Sequence, residues 1–428
     1  MIPLIPQSGA TDRPVLVGLS GGMDSTVLLH VLATAASHEL RAIHVHHGLH
    51  PAADGWAAHC RALCDSLGVP LTIANVDVDA GSGSGLEAAA RDARRAAFAA
   101  DLREGEVLAL GHHRDDQAET FLLRALRASG VDGLAAMRPW SRFHQGWLWR
   151  PLLATARAQL LGHACHHGLR WIDDPSNADV SFDRNFLRHE VLPLLRRRWP
   201  PVDAAFSRSA ELASQASTLL DGEDAVALES LQHEHPGSID IAALRALSPQ
   251  RQARVIRHWV QSLGLQPLPA HGVMRILDDL MAASDDGNAE FAWSGAWVRR
   301  WKNRLHAGRE RPSLPPHWRA EWDGRDPLPL PGGGVLRLLG TDAFGQAVVV
   351  VARQGGERIA LPGRSHTHAL KHVLQQLQVP PWRRERLPLL LDGRGEVLAA
   401  ADLASSAAFA GWLDAHGARL AWDDDPAI

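Results

Sequence analysis

Residues 15–25 read VLVGLSGGMDS, an aliphatic run that stops at Ser20-Gly21-Gly22 and resumes as MDSTVLLHVLATAA. The first part has the composition of a strand buried on both faces, and the second has the apolar spacing of a helix. A strand that turns through glycine straight into a helix aims free backbone N–H groups, and the positive end of the helix dipole, at one point. That point suits a phosphate or pyrophosphate. Ser20, Ser25 and Thr26 add hydroxyls, and Gly21 and Gly22 let an anion come close to the backbone. No Gly-Lys-Ser/Thr ending follows, so the loop is not that of the kinases and GTPases, and no Gly-x-Gly-x-x-Gly marks a dinucleotide fold. Ser-Gly-Gly by itself is also what a tight strand-to-helix turn needs.

From Pro14 to about Arg198, β-like runs (RAIHVHH, LTIANVDV, EVLALGHH) alternate with helical stretches such as GLEAAARDARRAAFAADL. This order predicts βαβ units and a parallel sheet covered on both faces, an α/β Rossmann-like domain over residues 1–203. Residues 204–311 carry mainly helical patterns and are expected to form a helical middle domain. RPSLPPHWRAEWDGRDPLPLPGGG is dense in proline and glycine and predicts a linker over 312–342. Strand-like AVVVVARQ and ERIALPG with helical THALKHVLQQLQ predict a small mixed α/β domain over 343–428.

A chain of 428 residues suits two or three domains. With 46% hydrophobic and 21% charged residues it has the composition of a folded soluble protein, and no run approaches the roughly 20 apolar residues of a membrane span. MIPLIPQSGATDRP lacks the basic start and apolar run of a signal peptide, so the expected location is the cytoplasm. Cys60, Cys64 and Cys165 are too few for a disulfide framework and form no Cys-x-x-Cys pair; Cys60 and Cys64 read as small buried residues. His163, His166 and His167 read as surface residues without ligand spacing. The net charge of −4 does not announce a nucleic-acid partner. Its distribution says more: RRR at 196–198, WVRRWKNRLHAGRER at 297–311 and WRRER at 382–386 mix arginine with tryptophan. Such runs bind phosphate and stack on unpaired bases, or else are solvated helix faces beside core tryptophans.

LALGHHRDDQAETFLLR, residues 108–124, reads as a strand ending at His112-His113 and a helix beginning near Asp116. On that helix Asp116 and Glu119 share a face, so both carboxylates can meet one cation, magnesium on a phosphate or a substrate ammonium. An Asp cap followed by Glu three residues on is the alternative that needs no ligand.

SGGMDS after a hydrophobic strand resembles the pyrophosphate loop of the N-type ATP pyrophosphatases, the PP-loop superfamily. HHRDDQAET, together with GLRWIDDPSNADVSFDRNFLRHEVLPLL at 168–195, is similar to the tRNA(Ile)-lysidine synthetases within it. Related tRNA 2-thiocytidine enzymes, which rely on cysteine pairs absent from this chain, and other PP-loop synthetases are the alternative. The resemblance covers most of 14–200 and 350–400 and is weak in the middle. It implies an ATP- and Mg2+-using ligase that adenylates C2 of the wobble cytidine in the CAU-anticodon isoleucine tRNA. L-Lysine then displaces AMP. It also implies that Ser20, Gly21, Gly22, Met23, Asp24 and Ser25 bind ATP and that Asp24, His112, Asp116, Glu119, Arg184 and Arg188 are catalytic. Asp116 and Glu119 would hold magnesium or lysine, and Arg184 and Arg188 would meet tRNA phosphate or the adenylate. Asp174, Asn177 and Asn185 either join this site or order their loop, since Asp-Pro-Ser-Asn is a good turn. The middle and C-terminal domains are expected to contact tRNA, no membrane is implied, and a homodimer is a candidate assembly. The chain departs from the family in having no tyrosine, with Phe182 and Phe186 where tyrosine or an aliphatic residue is common.

Overall fold

The computed structural model describes residues 13–35, 39–78, 86–232, 235–283, 289–364 and 366–424. It forms two compact units, Met1–Leu220 and Asp221–Ile428.

The first unit is built on a six-stranded sheet in the order β3-β2-β1-β4-β6-β5. Strands β1 (Val15–Gly18), β2 (Leu40–His46), β3 (Leu71–Asn75) and β4 (Val107–Ala109) are parallel, β5 (Trp140–Phe143) is antiparallel, and β6 (Gly146–Trp149) is again parallel. Every residue of β1 is buried because the strand has neighbours on both edges and packing on both faces. Val15 and Val17 join one apolar layer with Val27, Leu28, Cys60 and Cys64, whereas Leu16 joins Ile43, Phe98 and Leu108 on the other face. That alternation is the period of two expected of a strand. The two cysteines are fully buried, and burial pushes their thiols up to about 12 and about 11, so they are inert packing groups.

The helices of this unit are α1 (Met23–Ala35), α2 (Ala53–Leu67), α3 (Leu86–Asp101), α4 (Arg114–Leu126), α5 (Val131–Leu134) and α6 (Arg157–His166). A 3-10 turn at Pro175–Ala178 leads to α7 (Asp183–Phe186), a π-helical segment Leu187–Val191 and α8 (Leu192–Arg198), after which α9 runs over Val202–Leu231. The chain steps from β1 outward to β2 and β3, then returns to place β4 on the other side of β1. In such sheets the crevice beyond the carboxyl ends of the strands, at this reversal, is where ligands bind.

In the second unit the middle region, expected to be mainly helical, is helical and β together: helices Ile241–Arg245, Pro249–Ser262 and Ala270–Arg275 are joined by a sheet that the helical pattern did not announce. A four-stranded antiparallel sheet, β7-β10-β9-β8, stands there, formed by β7 (Ser238–Asp240), β8 (Glu290–Trp293), β9 (Ala296–Trp301) and β10 (Arg304–Arg309). Ile239, Val298 and Leu305 on the sheet pack with Val255, Ile256 and Trp259 of the helix Pro249–Ser262. The decisive local signal is the turn at Ser294-Gly295, where both residues have positive φ (44° and 75°). Two such residues make the turn whose twist matches a hairpin, so residues 290–301 fold back as strands.

Residues 312–342 likewise do not form a linker. They supply strands Arg319–Trp322, Leu328–Pro329 and Val335–Leu339, and Trp322, Leu330, Leu336 and Leu338 are buried with Val350, Leu390 and Trp422 in one core. Most of the prolines and glycines lie before or between these short strands, with Gly332, Gly333 and Gly334 all at positive φ in the turn before Val335. The C-terminal region is mostly antiparallel sheet with helices at Leu370–Gln376, Pro381–Glu385 and Ala407–His416. Among the described residues no helix is long and apolar enough to cross a membrane.

Candidate active site

The loop between β1 and α1 is held by its own hydroxyls. Gly22 N–H donates to Ser20 Oγ (3.3 Å), Ser20 N–H donates to Ser25 Oγ (3.2 Å), and Ser25 Oγ–H donates to the Gly22 carbonyl (3.1 Å). Thr26 N–H is the first to find a helical acceptor, the Gly22 carbonyl at 3.0 Å, which leaves Met23, Asp24 and Ser25 to open the helix. Gly21 has φ +84°, and a Cβ on it would lie 2.5 Å from Ile172 Cδ1 and 3.1 Å from Cys60 Sγ. Opposite, a Cβ on Gly111 would come within 3.0 Å of the Asp24 carbonyl, so the segment after β4 lies directly against the start of α1. Asp24 Oδ1 is buried and has no hydrogen-bond partner among the described residues.

β4 delivers the next group. His113 caps α4: its N–H donates to Asp116 Oδ2 (2.9 Å), and its Nδ1 accepts from Asp116 N–H (3.3 Å). The neutral ring therefore carries its proton on Nε2, which lies 3.5 Å from both Asp24 Oδ2 and Asp116 Oδ2. Burial opposes a second proton, but the bond to Asp24 and the charges of Asp116, Asp24 and Asp115 outweigh it and hold His113 above its ordinary value. His112 is the opposite case. Burial, abetted by Arg150, Arg184 and His113 against the pull of Asp116, pushes it down to about 4, so the ring is neutral at physiological pH. Its Nδ1 is buried without a partner among the described residues.

Asp116 and Glu119 are buried on one face of α4, as their spacing predicts, and meet two cations of this same chain. Arg184 donates to Glu119 Oε2 (2.7 Å) and Asp116 Oδ1 (2.9 Å); Arg188 donates to Glu119 Oε1 (2.7 Å), Glu119 Oε2 (2.9 Å) and Asp116 Oδ1 (3.1 Å). Burial would raise the Asp116 carboxyl, yet His113, Arg184, His112 and the His113 N–H together hold it below its usual value. Arg188 sits in the π-helical segment; such irregular turns recur at functional sites.

A further connection is the loop before α7. Ile172 N–H donates to the Gly21 carbonyl (2.9 Å), which ties this loop to the glycine turn. Asp174 caps the 3-10 turn through Ser176 N–H (2.9 Å), Asn185 Nδ2 donates to the Ser176 and Asp179 carbonyls (both 2.9 Å), and His189 meets the Asn177 carbonyl at 2.8 Å. Of the two roles open to Asp174 and Asn185, the observed bonds are those of loop ordering, and Asn185 thereby fixes its neighbour Arg184.

Two groups of this site escaped the sequence-based expectations. His113 was passed over for His112, although the residue just before a helix is the capping position. Arg150 follows β6 directly; burial and the nearby Arg95 and Arg91 lower it to about 10, and its Nε has no partner among the described residues. Its position at the carboxyl edge of the sheet was the available signal.

Of the tryptophan- and arginine-rich stretches, 196–198 ends α8 with Arg197 and Arg198 exposed, whereas most of 297–311 forms strands rather than a helix and packs with 382–386. Trp297 and Trp301 on β9 and His306 on β10 surround Trp382 of the helix Pro381–Glu385, with ring centroids 5.5, 6.4 and 5.4 Å away. Arg299 lies over Trp297 at 4.3 Å, and Arg384 over Trp301 at 5.6 Å. Three of these rings come from strands and Trp382 from a helix, packed on one another within the second unit. A Trp382→Ala variant is expected to destabilise that unit by roughly 2–3 kcal/mol, somewhat under the range for fully buried aromatics because Trp382 is only half-buried. Denaturant unfolding followed by tryptophan fluorescence checks this.

Acid should also act on this site. A His112 ring that is neutral in the folded protein down to about pH 4, but titrates near 6.5 when unfolded, contributes stability that is present above 6.5 and lost as pH falls towards 4. His112→Gln should remove that part of the pH dependence, measured as unfolding free energy between pH 7 and 4.

A mostly parallel α/β sheet, with a glycine turn at its reversal point feeding a helix, defines a PP-loop ATP-binding protein, and residues 4–195 match the family model described as PP-loop domain. Residues 239–306 match the TilS substrate binding domain and 348–422 the TilS substrate C-terminal domain. The chain is 55% identical over 425 residues to the tRNA(Ile)-lysidine synthase of Xanthomonas axonopodis pv. citri (strain 306), covering 98% of this chain and 96% of that one. It is 53% identical over 428 residues to that of Xylella fastidiosa (strain 9a5c), covering 98% and 97%. The chain belongs to the tRNA(Ile)-lysidine synthase family, ATP-dependent ligases of the PP-loop class.

Proposed function

We propose that the crevice between β1 and β4 ligates L-lysine to C2 of the wobble cytidine of the CAU-anticodon isoleucine tRNA, with the labour divided as follows. The observation that carries this division is the convergence of the Ser20–Ser25 loop with the Asp116–Glu119–Arg184–Arg188 cluster, bridged by His113 Nε2 at 3.5 Å from both Asp24 and Asp116. The loop cradles the phosphates of ATP. The C2 carbonyl oxygen attacks the α-phosphorus and pyrophosphate leaves; the ε-amine of lysine then forms a bond to C2, and the C2–O bond breaks so that AMP departs with the former carbonyl oxygen.

Electrostatics decides the order in which the cluster can act. Two guanidiniums and two carboxylates neutralise one another while no substrate is bound. An adenylated base brings a phosphate that competes for Arg184 and Arg188, and each arginine drawn to it bares carboxylate for the lysine ammonium. His113, with proton-accepting carboxylates on either side, is placed to pass on the proton that the ammonium must lose before attack. His112, pushed down to about 4, is too weak a base for this task.

Asp116 and Glu119 do not fit the magnesium role expected of them, because Arg184 and Arg188 already engage their oxygens, and among the described residues no group of three His, Cys, Asp or Glu is arranged to hold a metal. Magnesium carried on the phosphates of ATP asks for only one or two protein carboxylates. Asp24, with its buried unpartnered Oδ1, is the residue that would meet it, and the ion would offset phosphate charge. One chain supplies every residue named, so a homodimer is not required.

The test is direct. Purified protein with ATP, magnesium, labelled lysine and the CAU-anticodon isoleucine transcript should transfer label to the RNA and release one AMP per lysine joined. Absence of transfer by protein that still binds ATP would overturn the reading. Asp24→Asn should lower transfer by at least about 100-fold, the scale of losing one electrostatic contact made in the transition state.

A further inference from the structure

The chain from Asp183 to Arg198 is a continuous helical run, α7, the π-helical segment and α8. Arg184 and Arg188 turn inward to the carboxylates, but Phe182 and Phe186 do not follow them: their exposures are 40% and 48%. The two are four residues apart, Phe186 N–H donating to the Phe182 carbonyl at 2.9 Å, so they share one helical face. Exposed phenylalanines in such a pair mark a contact surface. At the other end of the run Arg197, Arg198 and Trp199 are exposed, with Arg198 over the Trp199 ring at 5.4 Å. The ends of the run are about 22 Å apart at the usual helical rise.

We propose that Phe182 and Phe186 are the stacking platform for unpaired anticodon-loop bases, and that Arg197, Arg198 and Trp199 hold the adjoining RNA backbone. This rests on the reading that the reacting group is a base of an RNA. Continuity with the site fixes the occupant: the wobble base must reach Arg184 and Arg188, and the flanking bases of the same loop then lie over the nearest exposed rings. Charge agrees, since exposed arginine suits phosphate, and unpaired bases are held by stacking on aromatic rings. The two ends divide as stacking and charge.

Three measurements on the full chain separate these contributions: transcript affinity against salt, ligation kinetics, and fluorescence of a transcript with 2-aminopurine beside the wobble position. Phe182→Ser/Phe186→Ser should weaken transcript affinity and kcat/KM by roughly 5- to 150-fold, the range for losing one stacked base, and should abolish the quenching of 2-aminopurine. ATP affinity and the slope of log affinity against log salt should stay unchanged. Phe182→Trp/Phe186→Trp should retain binding. Arg197→Gln/Arg198→Gln should reduce the salt slope by about 1.4–1.8, the sum for two phosphate contacts, with quenching intact. Unchanged affinity of the serine variant in an actively ligating preparation would overturn the platform while leaving the lysidine reading in place. So would a change in oligomeric mass without a change in transcript affinity, which would make the patch an interface between copies. Absence of ligation by the unaltered protein would instead remove the reading itself.

Discussion

Replacing Glu119 by alanine is expected to lower ligation by two to three orders of magnitude and to destabilise the N-terminal unit by roughly 3 kcal/mol, the lower end for breaking a buried ion pair. Glu119 is 1% exposed and takes three of the five hydrogen bonds from Arg184 and Arg188. Its removal leaves two guanidiniums facing a single carboxylate, Asp116. The lower end applies because the two arginine side chains keep 34% and 29% exposure and can turn partly to water. Stability and activity should part company in the double variant. Glu119→Ala/Arg188→Ala restores the balance of charge, so its loss of stability should be clearly less than the sum of the single losses, whereas its ligation should be no better than that of either. Chemical denaturation of the four proteins, with single-turnover ligation alongside, measures both. Additive stability losses would show that the cluster is not a coupled unit.

Gly21→Ala is the second large effect. At φ +84° any L side chain is strained, by roughly 1–2 kcal/mol, and the new methyl would meet Ile172 Cδ1 at 2.5 Å. The contact is with the far end of a side chain, so Ile172 can move, but its N–H donates to the Gly21 carbonyl and the movement disturbs the turn itself. ATP affinity should fall by 10-fold or more. Adding Ile172→Val should recover the part due to the collision and leave the part due to φ, which calorimetric ATP titration of the single and double variants can separate. Full recovery of affinity in the double variant would mean that backbone strain plays no part.

Much of the N-terminal site is legible in the chain because it is local. The turn after β1 needs glycine at Gly21 for a backbone reason, the helix that follows needs no distant partner to present its N–H groups, and the Asp116–Glu119 pair shares a helical face by spacing alone. Where non-local pairing decides, the same reading misleads. Residues 290–309 were expected to be helical, yet Ser294-Gly295 reverses the chain, and Trp297 and Trp301 of β9 with His306 of β10 pack on Trp382, some 80 residues further on. Residues 312–342 looked like a linker because short edge strands joined by glycine turns have the same composition as one. Their burial with Val350 and Trp422 depends on partners no local window contains.

The amino-acid sequence by itself determined the class of anion loop, the alternation that makes a parallel sheet, and the family, since each of these depends on residue types at short spacing. Only the tertiary structure decided what faces the Asp116 and Glu119 carboxylates. Arg184 and Arg188 lie 65 to 72 residues from Asp116 and Glu119, and their guanidiniums fill the place where a metal or substrate cation was expected. Charge in a buried site must be balanced by whatever cation the fold brings within about 3 Å, and which one arrives is set by the path of the chain rather than by the residues on either side.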